Sequence, residues 1–108
     1  MDNHKLLLTT DNMKTLVYWS LFIEEGDIHA GQGKTSITEM EREFAIRLLA
    51  IYKKLQKLEM TTKHRGNYYA SYDDCEICLS WYHRLPENLL DDADADLHQI
   101  LSIFICES

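Results

Sequence analysis

The chain has 108 residues, 45% apolar and 27% charged, with 18 acids against 11 bases and a net charge of −7. That size and balance fit one soluble globular domain spanning residues 1–108, and they exclude a disordered chain. One Pro and four Gly are too few for the turns of an all-β fold, and a protein this acidic repels nucleic-acid phosphates, so direct nucleic-acid binding is not expected.

Residues 11–25 read as a first helix capped by Thr9 or Thr10. Its expected buried face is Met13, Leu16, Val17, Ser20 and Leu21, widened by Tyr18, Trp19, Phe22 and Ile23. Such a width exceeds one helical stripe and leaves β structure as the alternative for residues 16–23. That run is the longest apolar one, far short of the roughly 20 residues a membrane span needs. Residues 26–34 hold three glycines and no apolar period, and read as a loop. Within it, Gly31, Gln32, Gly33, Lys34 and Thr35 resemble the end of a phosphate-binding loop. The first glycine of that pattern is replaced by Ile28, and the segment follows a helix where the motif requires a strand.

The second helix has two candidate capping boxes, Ser36 with Glu39 and Thr38 with Glu41. Apolar residues then recur three or four apart at Ile37, Met40, Phe44, Leu48, Ile51, Leu55 and Leu58. Ala45, Leu49 and Tyr52 broaden the stripe, which predicts a central helix touching two neighbours. Lys53, Lys54 and Lys57 near its end would complement the exposed carbonyls there. Residues 61–70 read as a connection. Ser71 caps a third helix running to about Tyr82, because the Leu85-Pro86 step cannot continue it. Leu89, Leu90, Ala93, Leu97, Ile100, Leu101 and Phe104 form a fourth amphipathic run. The expected fold is all-α, a compact single-domain bundle of about four helices.

Chemical motifs are few. Asp92, Asp94 and Asp96 match the first ligands of a calcium-binding loop, but the position that needs Gly is Leu97 and the one that needs Glu is Ile103. Cys75 and Cys78 have redox or zinc spacing, with His64, His83 and Cys106 as candidate further ligands. Asp73, Asp74 and Glu76 surround the pair and disfavour thiolate. Both cysteines also share a helical face with Leu79 and Tyr82, which suits core packing. No nucleophile and base are paired by spacing, so neither an enzyme nor a cofactor is expected. An odd cysteine count and an N-terminus unlike a signal peptide lead to the expectation of a cytoplasmic protein.

Charge is unevenly placed. Residues 67–108 carry nine acids and one base, whereas residues 35–66 carry seven bases and four acids. Acids that open a helix stabilise it, yet four carboxylates within residues 91–96 exceed what helix starts need. The surplus, with nearby tyrosines, suits contact with a basic protein. The expected contact set is Tyr68, Tyr69, Tyr72, Asp73, Asp74, Asp91, Asp92, Asp94 and Asp96. An immunity protein or other inhibitor of a nuclease toxin or nucleic-acid-handling enzyme fits this chemistry, since the enzyme's channel must be positive. The alternatives are a helical module that forms a homodimer, and a metal-binding protein built on Cys75 and Cys78.

Overall fold

The computed structural model describes residues 5–30, 38–62 and 67–107. Strand β1 (Leu6–Thr9) leads into helix α1 (Thr10–Ala30), followed by α2 (Glu39–Thr62), strand β2 (Asn67–Ala70), α3 (Tyr72–His83) and α4 (Asp92–Glu107). A single 3₁₀ turn, Glu87–Leu89, separates α3 from α4. The four helices make the expected all-α bundle, and none of the described helices is long and apolar enough to cross a membrane.

Several local expectations are corrected. Part of the connection at residues 61–70 is strand: β2 pairs antiparallel with β1, with Leu6 opposite Ala70 and Leu8 opposite Tyr68. Side chains alternate across the ribbon, so Leu8 and Ala70 are buried while Leu7 and Tyr69 face outward. Two four-residue strands are too short to announce themselves locally, and each exists because the other supplies its backbone partners. Residues 16–23 are helical, and α1 runs through Gly26 to Ala30 where a loop was expected. A single Gly costs a helix only about 1 kcal/mol, which neighbouring turns absorb. Helix α2 likewise continues to Thr62, so Lys53, Lys54 and Lys57 precede its last turn. The hydroxyls of Thr61 and Thr62 donate there instead, to the carbonyls of Lys57 at 2.9 Å and Leu58 at 2.7 Å. The phosphate-loop-like residues Gly31 to Thr35, with Ser36, Ile37 and His64, lie outside the described residues.

Helix α1 rather than α2 is central, packing against the other three helices and both strands. Met13, Leu16, Val17, Trp19, Ser20 and Ile23 are all buried along it, whereas Tyr18, Leu21 and Phe22 of the expected face are exposed. Around them close Leu8, Phe44, Leu48, Cys75, Cys78, Trp81, Leu97 and Leu101. Ser20 is tolerated in this core because its hydroxyl donates to the Val17 carbonyl at 2.8 Å. Trp81 packs on Phe44 with ring centroids 5.4 Å apart, and its Nε1–H has no acceptor among the described residues.

All four described helices begin with the same reciprocal device, in which a side chain before the helix and one in its first turn exchange hydrogen bonds with each other's backbone N–H. The pairs are Thr9 with Asn12, Thr38 with Glu41, Ser71 with Asp74, and Asp91 with Asp94. In three of them the first-turn carboxylate also reaches another element. Glu41 accepts from Arg84, just past α3, at 3.2 Å. Asp74 accepts from the Tyr68 hydroxyl on β2 at 2.9 Å and lies 3.6 Å from the Arg47 guanidinium on α2. Asp94 accepts from the indole N–H of Trp19 on α1 at 2.7 Å. Removing such a carboxylate takes away a cap and a tertiary tie together. Asp94→Ala is therefore expected to cost about 1–3 kcal/mol. Asp92→Ala, two residues away and exposed, should change stability by about 0.5 kcal/mol or less. Urea unfolding curves of the two variants check the difference.

Candidate partner-binding surface

Six of the nine expected contact residues line one of two cavities, and Tyr72, Asp92 and Asp96 line neither. Tyr68, Tyr69, Asp73 and Asp74 line a depression beside Lys5, Met40 and Arg47. Asp91 and Asp94 line a separate groove of about 710 Å³ between α1 and residues 85–93, and the two cavities share no lining residue. The expected contact set is therefore divided between separate parts of the surface.

Nor are its members equally available. Asp74 is buried, with both oxygens occupied by the contacts already described. Tyr68 is half-buried and its hydroxyl is spent on Asp74; burial, followed by the Asp74 charge, pushes its pKa well above the ordinary tyrosine value. Asp94 is half-buried between its own cap and Trp19. These three are structural, and the cause in each case is a partner from an element that sequence spacing could not bring near. Asp91 is exposed, and the N–H of Asp94 donating to its carboxylate holds its pKa below the usual carboxylate value. Asp73, Asp92 and Asp96 are exposed and form no ion pair among the described residues. Tyr69 and Tyr72 are also exposed.

The groove between α1 and residues 85–93 adds residues that the sequence placed elsewhere. Tyr18 and Phe22 were expected to widen the buried face of α1, yet Tyr18 is 65% exposed and Phe22 stands at the groove wall. Leu89, expected in the fourth amphipathic run, sits in the 3₁₀ turn and is 58% exposed on the opposite wall. Residues 18, 22 and 89 were legible as apolar but not as exposed, because α1 is apolar on more than one side. Carboxylates of Asp11 and Asp91 flank these apolar groups, with Lys14 the one base lining the groove among the described residues. An apolar centre with a polar, mainly acidic rim is the anatomy of a protein-binding site.

The cysteine pair has a different fate. Cys75 and Cys78 are fully buried in the core, where desolvation pushes the Cys75 thiol up to about 12 and the Cys78 thiol well above its ordinary value. The negative charge of Asp74 acts in the same direction. Among the described residues no three His, Cys, Asp or Glu side chains gather to hold a metal ion. Cys106 by contrast is exposed near the end of α4. The folded protein is thus expected to release one thiol's worth of colour from a disulfide reagent quickly, and the remaining two only on denaturation.

A second cluster joins α3 to α4. His98 stacks on Tyr82 with ring centroids 4.0 Å apart, meets the edge of His83 at 5.7 Å, and has Nε2 3.3 Å from the Ser102 hydroxyl. Burial, then the nearby His83, lowers the His98 pKa from its ordinary 6.5. A histidine whose folded pKa is depressed binds its proton more readily when unfolded, so it lowers stability as pH falls through 6.5 toward the folded value. His98→Gln is expected to flatten that decline, measured as urea midpoints across the interval. Comparison with protein families, with curated proteins and with solved structures returned no match to this chain.

Proposed function

We propose that this protein binds a basic protein partner, with the groove between α1 and residues 85–93 as the principal contact. One observation carries this reading: exposed Tyr18, Phe22 and Leu89 line a cavity whose acidic rim includes Asp11 and Asp91, in a protein of net charge −7. The apolar groups offer desolvated anchoring, while the carboxylates select positive charge and speed the encounter. Asp94 supports the site from behind. Its bond to Trp19 fixes the start of α4 against α1, so the two walls keep their spacing before any partner arrives.

The class of partner that suits this chemistry best is a nucleic-acid-handling enzyme, because its substrate channel must be positive to hold phosphates. Occupying such a channel with carboxylates would neutralise the enzyme, which is the action of an immunity protein or inhibitor. Tyr69, Tyr72 and Asp73 form a second exposed group that a large partner would reach by wrapping past β2.

Affinity capture from the native cell, followed by mass spectrometry, supplies the partner for a quantitative test. Binding of the purified pair is expected to weaken steeply with salt, and Asp11→Lys, at the exposed rim of the groove, to lose roughly tenfold in affinity. Tyr18→Ala with Phe22→Ala should lose a similar factor mainly through faster dissociation. Reversal of the exposed Glu76 on α3 serves as the control and should change little. Salt-independent binding, or equal loss at Glu76 and at the groove, would refute the proposal.

A further inference from the structure

The outward face of α2 has a charge order that matches its own reverse. Glu39, Glu43, Ile46, Ala50, Lys53 and Lys57 follow one another at alternating steps of four and three residues, so they lie along one stripe of the helix. All six are exposed, and Ile46 is 63% exposed. The opposite side of α2, carrying Phe44, Ala45 and Leu48, is the side that packs into the bundle. Acids thus occupy the N-terminal end of the free stripe, small and branched apolar residues its middle, and bases its C-terminal part. None of the four charged members forms an ion pair among the described residues.

We propose that two copies of this protein associate through α2, the helices crossing antiparallel about a twofold axis near residues 46–50. Reversal of direction sets Glu39 against the second copy's Lys57, Glu43 against its Lys53, and Ile46 against its Ala50. Each contact occurs twice, as an isologous interface requires. Parallel pairing would instead oppose acid to acid and base to base. Small Ala50 lets the helices approach at the centre, and Ile46 fills the space beside it. Leu49, at the edge of the stripe and 36% exposed, widens the apolar centre.

Whole-molecule charge favours the same face. Two proteins of net charge −7 repel one another over most of their surfaces. Helix α2 holds five bases and four acids, so it offers an approach without that penalty. A single helix pair with so small an apolar centre belongs among interfaces below about 1,200 Å², which are weak. The association is accordingly concentration-dependent and is separate from the acidic groove.

Sedimentation velocity over a wide concentration range tests the arrangement on the full chain. The weight-average mass of the natural protein is expected to rise from monomer toward dimer. Glu43→Lys and Lys53→Glu should each raise the dissociation constant roughly tenfold, while the double variant carrying both exchanges should recover the natural value, because the reversed charges again oppose one another. Ile46→Asp, at an exposed position that the monomer's fold does not need, should abolish dimer formation with an unchanged circular dichroism spectrum. A monomer at every concentration, a dimer indifferent to both single reversals, or a double variant no better than the singles would overturn the proposal.

Discussion

A carboxylate in the first turn of a helix uses one oxygen to complete the cap and keeps lone pairs for something else. In this protein that second capacity holds the fold together. Glu41, Asp74 and Asp94 each close the start of their own helix and accept a hydrogen bond from a different element, in turn Arg84, Tyr68 and Trp19. Local helix initiation and tertiary registration are thus the same interaction. A helix that slipped by one residue would lose its cap and its neighbour together.

This economy suits a bundle whose central member is apolar on several sides. Helix α1 has a surface on which neighbours can slide, since burial is non-directional and roughly proportional to area. Directional bonds at the starts of α3 and α4 remove that freedom. Trp19 shows how the two kinds of force combine: its ring is buried and meets Tyr82 at 5.4 Å, while its N–H reaches the one carboxylate placed to receive it. Asp74 does the same for the ribbon, fixing β2 to α3 and drawing Arg47 of α2 toward both. The cost of burying Asp74 is offset because the carboxylate is hydrogen-bonded on arrival.

The same bonds divide the acidic residues into those that build and those that remain for contact. Asp74 and Asp94 are consumed internally, whereas Asp73, Asp91, Asp92 and Asp96 keep exposed carboxylates. Of these Asp91, with Asp11 of α1, flanks the exposed aromatic and aliphatic groups from α1 and the 3₁₀ turn, so the groove owes its form to the docking of α4 on α1. Opposite in charge, and on a different helix, the lysines of α2 give the molecule a second and chemically distinct face. A strongly acidic protein that has one near-neutral helix can present its carboxylates to a basic partner while meeting its own kind elsewhere.

Helix number and class were legible in the amino-acid sequence, because a 3.6-residue apolar period and cap residues are local signals. Ser71 and Thr38 mark the starts of α3 and α2 without reference to anything distant. The alternating steps along α2 are equally local, although only packing distinguishes its free stripe from its buried one. The ribbon was not legible, since four residues of strand carry no meaning until their partner, far along the chain, lies beside them. Nor was the division of the acids: Asp92 and Asp94 are alike in the sequence, and the cap with Asp91 together with the bond from Trp19 makes them different. The sequence by itself determined where helices begin and how much charge the surface must carry. Tertiary structure decided which carboxylates are spent and which apolar groups stay exposed, because hydrogen bonds depend on distances in space that residue spacing does not encode.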